Sequence, residues 1–367
     1  MPEVVVIGAG AIGSAVAWRC AQRGLSVTLI DPDPQRGAWR TAAGMLAPIT
    51  ELHYTETALL RLNLASHERY RDYAAELTEA TGLPTGYVEC GTVEVAWDAA
   101  DLQALRELHE FGASLGLASR LVTGRELRTL EPSLAVGLPG GLLAEHDHQV
   151  DPRLLHAAQL RATLDLGVQL LVGSARPDIR GDRVRGVTLD DGTTLAADTV
   201  VLAAGAWSGQ LAPVPVRPVK GQTVRLRLAG PHRLTHVVRA TVRGTAVYVV
   251  PRSDGRLVVG ASSEEAGFDL TTRAGAVYEL LRDAQSVLPE LGEAELEELC
   301  TGLRPGSNDN GPLLGPSGVD GLVLATGHYR NGILLAPVTA DAIAAYVTDG
   351  RLPEVAAPFV LDRALSA

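Results

Sequence analysis

The first 31 residues contain the pattern that most restricts the fold: an apolar strand, a glycine-rich turn, a helix and a second strand that ends at an acidic residue. The run VVVI at residues 4–7 is typical of a strand buried in a parallel sheet. Gly8, Gly10 and Gly13 have the G-x-G-x-x-G spacing, which permits a tight turn, close approach to a pyrophosphate and packing of the helix on the strand. Asp31 follows where a carboxylate can bind a ribose. We therefore expect a Rossmann-like dinucleotide-binding domain, although on this motif alone FAD, NAD and a ligand-free glycine turn all stay open.

Composition limits the size and setting of the protein. The 367 residues exceed what one compact core usually fills, and a hydrophobic content of 46% is ample for burial, so we expect two closely joined domains. The net charge of -11 argues against nucleic acid and membranes as partners, because both attract basic surfaces. No apolar run approaches the roughly 20 residues that cross a bilayer, and no basic signal region is visible, so we expect a cytoplasmic protein. Cys20, Cys90 and Cys300 are few and far apart, which predicts reduced, buried thiols.

A second unit of strand, turn and helix lies near the C-terminus. The sequence predicts an apolar strand at residues 321–325, a glycine-rich turn, and a helix that begins near Asn331 or Gly332 and runs through Val347. In FAD enzymes of this class, the positive end of such a helix faces the pyrimidine side of the flavin. A nicotinamide enzyme needs no such second unit, so we predict FAD as the cofactor. The apolar strand at residues 199–203 belongs in the same buried sheet, which makes the cofactor domain discontinuous.

The segments between these units predict further helices and strands. Residues 57–82 have the spacing of one or two amphipathic helices. Asp151 and Pro152 suit the N-cap and first position of a helix at residues 152–166. Residues 246–251 and 257–260 form a predicted hairpin around a Ser-Asp-Gly turn.

The predicted fold class is therefore α/β, with a discontinuous Rossmann-like FAD-binding domain and an α+β substrate domain built on an antiparallel sheet. The predicted boundaries are residues 1–83, 145–216 and 303–367 for the FAD-binding domain, and residues 84–144 and 217–302 for the substrate-binding domain.

Two patterns leave alternatives open. His146 and His148 are two residues apart, which suits a metal on a strand face, but no third ligand has comparable support, so no metal site is predicted. Lys220 is the only lysine in the chain. Its place before Gly221 is natural for a crossover between domains, and a role in oxygen activation is the alternative.

Several motifs together resemble one family. They are AAGMLAP at residues 42–48, YVVPR and GRLVVGA in the predicted hairpin, GLRPG at residues 302–306, and GHYRNGILLAP at residues 327–337. In this order they resemble the D-amino-acid oxidase group of flavoenzymes and, within it, the glycine oxidases of thiamine biosynthesis. The chain departs from a stricter match at Ala246 and Ser263, where side chains in this family can be larger, so the substrate range stays open.

The resemblance implies roles for three residues near the substrate. Arg304 precedes a proline, which favours an extended backbone, and we expect it to project from a glycine-rich loop. By the resemblance, Arg304 and Tyr248 hold the substrate carboxylate, and Arg330 lines the same cavity or holds the substrate from the other side. The planar donor fork of arginine suits a carboxylate, and tyrosine stays a neutral donor because its pKa is about 10.

The resemblance also implies the residues that contact FAD: Gly8, Gly10, Ile12, Gly13, Asp31, Pro32, Arg40, Thr41, Ala43, Gly44, Met45, Arg176, Gly205, His328, Tyr329, Arg330, Asn331, Gly332, Ile333 and Leu334.

The implied reaction is the oxidation of glycine or another small amino acid. The substrate Cα loses a hydride to FAD, the imine hydrolyses to a 2-oxo acid and ammonia, and oxygen is reduced to hydrogen peroxide. Sarcosine and small D-amino acids are further candidate substrates. A D-amino-acid or D-proline dehydrogenase with another electron acceptor and a non-enzymatic flavin-binding protein are the alternatives, and a homo-oligomer stays open.

Overall fold

Two large β-sheets organise residues 3–228 and 234–365, the part of the chain that the computed structural model describes. The strands in chain order are β1 (Val4–Ile7), β2 (Val27–Asp31), β3 (Met45–Leu46), β4 (Thr92–Ala96), β5 (Arg120–Thr123), β6 (Gly140–Ala144), β7 (His148–Gln149), β8 (Gln169–Val172), β9 (Ala175–Arg180), β10 (Arg183–Leu189), β11 (Thr194–Ala196), β12 (Thr199–Leu202), β13 (Arg217–Arg227), β14 (Val237–Val242), β15 (Thr245–Pro251), β16 (Arg256–Gly260), β17 (Glu295–Gly306), β18 (Leu313–Pro316) and β19 (Leu322–Thr326). The helices are α1 (Ala11–Gln22), α2 (Ala38–Thr41), α3 (Thr57–Thr81), α4 (Ala99–Ser114), α5 (Gly124–Leu130), α6 (Pro152–Asp165), α7 (Ser208–Leu211), α8 (Ala274–Val287), α9 (Ala336–Asp349) and α10 (Leu361–Leu365), with 3₁₀ turns at Gly205–Trp207, Pro289–Glu293 and Ala357–Phe359.

The first sheet has the strand order β18-β19-β12-β1-β2-β8 and is parallel apart from β18. The packing of strand β1 explains why all of its residues are apolar. Val4 and Val6 pack into a cluster with α1, α3, α6 and α9, whereas Val5 and Ile7 pack into a second cluster on the opposite face. Because both faces are covered, this strand has no polar alternation.

The second sheet has the order β17-β13-β16-β15-β14-β4-β6-β5 and is antiparallel apart from the parallel pair of β14 and β4. One face packs against α8 through a cluster that includes Val247 and Val249. On the other face, Tyr248 and Val250 pack with Ala43, which belongs to the segment after β2. The second sheet therefore presents the Tyr248 face to the segment predicted to contact the cofactor.

The local predictions for helices and the hairpin are confirmed. Asp151 caps α6, because its carboxylate accepts hydrogen bonds from the backbone N–H groups of Arg153 at 2.9 Å and Leu154 at 3.4 Å. Helix α3 ends before Gly82, whose φ of 71° is in the left-handed region. Strands β15 and β16 form the predicted hairpin, with Tyr248 opposite Gly260.

Three predictions are wrong in detail. The C-terminal helix begins at Ala336 and not near Asn331, because Tyr329 has a φ of 46° and the residues after it form turns. Pro337 occupies the first turn of α9, where its missing N–H removes no helical hydrogen bond. Cys90 is half-buried, whereas Cys20 and Cys300 are buried as expected. GLRPG belongs to β17 and is not a loop.

The two sheets draw on the segments that the sequence assigned to separate domains, although the predicted boundary at residue 302 falls inside β17. The domain boundaries stay a prediction. Across residues 3–228 and 234–365, none of the helices combines the length and the apolar character that a membrane crossing needs.

The cap of α6 gives a test of stability. Asp151 is 5% exposed, and its Oδ2 lies 3.5 Å from Nε of Arg252. Asp151→Ala is expected to lower the free energy of unfolding by about 1–2 kcal/mol through the lost cap, and further because the buried guanidinium loses its counter-charge. Asp151→Asn is the matched control, because it keeps an oxygen that can cap the helix and removes only the charge. Urea unfolding followed by circular dichroism measures both; an unchanged midpoint for Asp151→Ala would contradict the assignment.

Candidate active site

The glycines of the first turn serve two different purposes. A Cβ on Gly13 would lie 1.7 Å from the carbonyl oxygen of Gly8, and one on Gly8 would lie 2.4 Å from that of Ala203, so the packing of the protein itself requires these two glycines. A Cβ on Gly10 would have Trp39 Cδ1, at 3.9 Å, as its nearest described neighbour. The φ of Gly10, -72°, is one that any residue adopts. The space beside Gly10 is therefore free for a ligand.

Two kinds of hydrogen-bond donor lie near this space, the start of helix α1 and the side chain of Trp39. Helix α1 begins at Ala11, and its first turn contains no acidic residue and receives no side-chain cap from the described residues, so its N–H groups and positive dipole end can face an anion. The buried indole Nε1 of Trp39 has no hydrogen-bond partner among the described residues. The Trp39 ring stacks on the His156 ring, with the centroids 4.0 Å apart. A pyrophosphate fits these donors.

Asp31 connects the end of β2 to the glycine turn. Its two oxygens accept hydrogen bonds from the backbone N–H groups of Ala9, at 2.7 Å, and Asp33, at 2.8 Å. Burial raises the pKa of Asp31 despite these bonds. Its predicted contact with the ribose stays a prediction.

The other residues predicted to contact the cofactor differ in their exposure to solvent. Ile12 in α1 is half-buried, and Pro32 after β2 is exposed. Gly205 follows β12 with a φ of 54°, and Arg176 is exposed on β9 opposite Thr188. Their contacts with FAD stay predictions.

In the segments predicted to contact FAD, several backbone carbonyl oxygens accept hydrogen bonds from side chains of other parts of the protein. The Ala9 oxygen lies 2.7 Å from Nε2 of His156, and it accepts a hydrogen bond from the Ser14 hydroxyl. The Arg40 oxygen accepts from Arg153 and from Arg225, whose Nη2 is 3.1 Å away.

The same arrangement continues along residues 41–44. The Thr41 oxygen accepts from the Thr223 hydroxyl at 3.1 Å, and the Ala43 oxygen accepts from Nη2 of Arg252. Gly44 has a φ of 76°, and a Cβ there would lie 2.0 Å from the carbonyl oxygen of Val150. These hydrogen bonds and the close packing of Gly44 therefore fix the backbone of residues 41–44. Met45 follows as the first residue of β3.

Helix α3 holds the turn before α9. The Ile333 oxygen accepts from the Tyr70 hydroxyl at 2.9 Å, and the Leu334 oxygen accepts from the Ser66 hydroxyl at 2.6 Å. His328 is buried, with Nε2 2.9 Å from the Thr339 hydroxyl. Burial lowers the pKa of His328 to about 3, so its imidazole is neutral. The predicted FAD contacts of Tyr329, Asn331 and Gly332, which lie in the same turn, remain untested by this geometry.

Tyr248 and Arg304 meet on the face of the second sheet. Each side chain crosses a glycine of a neighbouring strand: a Cβ on Gly260 would lie 2.3 Å from the Tyr248 hydroxyl, and one on Gly221 would lie 2.2 Å from Nη1 of Arg304. The Tyr248 hydroxyl interacts with the Arg304 guanidinium. Burial raises the pKa of Tyr248 above its ordinary value of 10.0, so the hydroxyl is a neutral donor.

Arg304 reaches this position from β17, where it lies opposite Val219. The glycines of GLRPG are needed for close packing of β17 against α2 and β13, and not for a turn. A Cβ on Gly302 would lie 2.6 Å from the Thr41 hydroxyl, and one on Gly306 would lie 2.8 Å from Cγ2 of Val219.

The guanidinium of Arg304 has an unusual set of partners. Its Nη1 donates to the carbonyl oxygen of Ser262 at 3.0 Å and is 3.5 Å from that of Lys220. Within residues 3–228 and 234–365 it forms no ion pair with a carboxylate. By contrast, the buried Arg225 and Arg252 lie within 4.0 Å of a carboxylate, at 3.7 Å from Glu298 and 3.5 Å from Asp151. The half-buried cation of Arg304 is thus left with neutral acceptors.

The sequence analysis missed a charged group next to Tyr248. Arg239 is the cross-strand neighbour of Tyr248, and its Nη1 is 2.7 Å from Glu51 Oε1 and 3.8 Å from Met45 Sδ. Burial would raise the pKa of Glu51, but Arg239 outweighs burial, so the pKa of Glu51 is lower than usual. Glu94 lies farther from Arg239, at 3.9 Å, and burial raises its pKa.

Arg330 differs from the other two predicted substrate residues, because it is exposed. Its guanidinium lies over the Tyr329 ring, 5.0 Å from the centroid, and its charge acts on Glu51. The structure brings Tyr248 and Arg304 together and leaves Arg330 at the surface, so its place in the substrate cavity stays a prediction.

Comparisons with known proteins agree with this geometry. The sequence profile of the family DAO, FAD dependent oxidoreductase, matches residues 3–346. Glycine oxidase of Geobacillus kaustophilus is 34% identical over 98% of this chain and 97% of its own length. A crystal structure of glycine oxidase from that organism has a TM-score of 0.91 at 35% identity, covering 98% of both chains.

A second kind of relative is longer. The bifunctional protein ThiO/ThiG of Synechocystis sp. is 37% identical over 99% of this chain but only 54% of its own length. The chain thus spans about half the length of the bifunctional relatives that it matches.

The contrast between Gly10 and Gly13 tests the cofactor site. Gly10→Ala is expected to fold, because its Cβ enters free space, and to weaken FAD binding by about tenfold or more, because the methyl occupies the pyrophosphate position. Gly13→Ala makes the same chemical change where the Cβ would lie 1.7 Å from an oxygen, and it is expected not to fold. Circular dichroism of the apoprotein and titration with FAD measure the two effects. Wild-type FAD affinity in Gly10→Ala would show that the cofactor lies elsewhere.

Proposed function

Because the chain belongs to the FAD dependent oxidoreductase family, we propose that it oxidises glycine, and other small amino acids, to an imine that hydrolyses to a 2-oxo acid and ammonia. For glycine, one molecule each of substrate, oxygen and water give glyoxylate, ammonia and hydrogen peroxide. We also propose that the imine from glycine supplies thiazole formation in thiamine biosynthesis, in line with the resemblance to ThiO/ThiG.

The observation that carries this proposal is the Arg304 cation, half-buried beside Tyr248 and without a carboxylate partner among the described residues. A buried charge is costly unless it is paired. The guanidinium has five N–H donors, and the two carbonyl acceptors both approach Nη1. The remaining donors suit the carboxylate of an amino acid, which accepts two parallel hydrogen bonds from arginine.

The residues around Gly10 and Trp39, the segment at residues 40–45 and the turn at residues 328–334 would hold FAD. When bound, FAD supplies the two-electron oxidising chemistry. The protein supplies orientation: Arg304 and Tyr248 fix the carboxylate, which restricts the position of the adjacent Cα–H bond.

Glu51, which pairs with Arg239 beside Tyr248, suits the amino group of the substrate. The lowered pKa of Glu51 keeps its carboxylate ionised, and its charge acts on Tyr248. We propose that Glu51 faces the amino group, while Arg239 fixes its position.

Anaerobic mixing with glycine tests the reaction. Excess glycine is expected to bleach the flavin absorption of the holoenzyme, and air is expected to restore it with release of hydrogen peroxide. Bleaching followed by slow recovery in air, with rapid recovery on an added electron acceptor, would assign a dehydrogenase. If neither glycine, sarcosine nor a small D-amino acid bleaches the flavin, the proposed function is wrong.

Replacement of Arg304 tests the carboxylate site. Arg304→Ala is expected to raise KM for glycine, and Kd for acetate used as a carboxylate probe, by about 10- to 100-fold, because a charge-assisted hydrogen bond contributes about 1.5–3 kcal/mol. Arg304→Lys is the matched control, because it keeps the charge and loses the planar donor fork. Its KM and Kd should lie between those of the wild type and those of Arg304→Ala. Steady-state kinetics and acetate titration followed by flavin absorption provide the values. Unchanged constants in Arg304→Ala would refute the role.

A further inference from the structure

Lys220 is the only lysine in the chain, and its side chain is completely buried. The ammonium group lies 3.1 Å from Oδ2 of Asp269 and 3.6 Å from Oε2 of Glu264. Both carboxylates belong to the irregular segment at residues 261–273, between β16 and α8, which we call the strap. A buried lysine is stable only when its charge is paired, so this ion group fixes the strap against β13.

The strap takes the place of a strand. Strand β16 pairs with β13 only from Thr223 to Arg227. Before Thr223, the strap continues along β13 through two backbone hydrogen bonds. The N–H of Lys220 donates to the backbone carbonyl oxygen of Glu264 at 3.0 Å, and the N–H of Glu264 donates to the backbone carbonyl oxygen of Lys220 at 2.9 Å. The position of the strap is therefore set by main-chain bonds and by the Lys220 ion group together.

Further side chains tie the strap to β13. Gln222 donates through Nε2 to Glu264 at 2.6 Å and accepts through Oε1 from the backbone N–H of Arg273 at 2.8 Å. Hydrogen bonds from Thr271, and then from Lys220, lower the pKa of Asp269, so that carboxylate stays ionised. At its outer side, Phe268 packs against Trp207, with the ring centroids 5.7 Å apart.

The strap leads directly to the substrate site. It follows Gly260, which the Tyr248 side chain crosses, and its Ser262 carbonyl accepts the hydrogen bond from Nη1 of Arg304. The Lys220 carbonyl is the second acceptor for the same nitrogen. Both carbonyl acceptors of the guanidinium thus belong to Lys220 or to the segment that it fixes.

We propose that Lys220 is a positioning residue for substrate binding: its ammonium group holds the strap, and the strap aims Arg304 at the substrate carboxylate. This inference rests on the proposed function of Arg304. It differs from a role in oxygen activation, because the ammonium is fully buried and directed at two carboxylates of the strap.

The test uses the FAD-loaded full-length enzyme and acetate as the probe, with Kd measured from the flavin absorption change. Lys220→Met is expected to raise Kd for acetate and KM for glycine by about tenfold, with kcat reduced by less than about threefold, because misplaced donors weaken carboxylate binding most directly. Asp269→Asn removes the ion pair from the strap side and is expected to change acetate binding in the same direction, which keeps the test decisive if Lys220→Met does not fold. Arg227→Met removes a cation from the far end of the same strand and is expected to leave Kd for acetate unchanged.

A double-mutant cycle decides whether Lys220 acts through Arg304. In the Arg304→Ala background, Lys220→Met is expected to change Kd for acetate by less than about twofold, because the side chain that it positions is gone. Equal effects in both backgrounds would overturn the inference. So would unchanged acetate binding in Lys220→Met and Asp269→Asn while Arg304→Ala weakens it, including the case in which Lys220→Met slows only reoxidation by oxygen. If Arg304→Ala itself leaves acetate binding unchanged, the proposed substrate site fails and this inference fails with it.

Discussion

The candidate site depends on the direction in which its main-chain carbonyl oxygens point. In a trans peptide, the carbonyl oxygen and the following N–H point in opposite directions. His156 and Ser14 bind the Ala9 oxygen, and Arg252 binds the Ala43 oxygen, so the N–H groups of Gly10 and Gly44 lie on the other side of their peptides. Side chains of the protein therefore bind the negative ends of these peptides, and the two N–H groups point to the opposite side, where we expect the cofactor.

Hydrogen bonds from side chains to backbone carbonyl oxygens also join the two sheets. Thr223 and Arg225 extend from β13 of the second sheet and bind carbonyl oxygens at Thr41 and Arg40, in the segment after β2 of the first sheet. The segment predicted to contact the cofactor is thus held by residues that lie 182 and 185 positions later in the chain. The segment predicted to contact the cofactor is therefore held in place by the second sheet as well as by the first.

Sequence reasoning succeeded where the determining contacts are local. The β1 turn, the cap at Asp151 and the hairpin around Tyr248 follow from neighbouring residues, and the resemblance to FAD-dependent glycine oxidases is confirmed by the comparisons. It failed where distant residues decide. The glycines around Arg304 form a sequence pattern typical of a loop, but they lie in strand β17, where one makes room for Thr41 of α2 and the other for Val219 of β13. The pairing of Arg239 with Glu51, 188 residues apart, leaves no local pattern in the sequence.

The burial of Lys220 has a chemical consequence for the proposed reaction, which makes an aldehyde from glycine. Glyoxylate, the product proposed for glycine, condenses with neutral primary amines, and lysine side chains are the usual targets on a protein. In this chain the one lysine has an exposed fraction of 0%, and every other basic side chain of the Lys and Arg total of 32 is a guanidinium. A guanidinium stays protonated at all ordinary pH values and is a poor nucleophile. The folded protein therefore offers the proposed aldehyde product no exposed lysine side chain to modify.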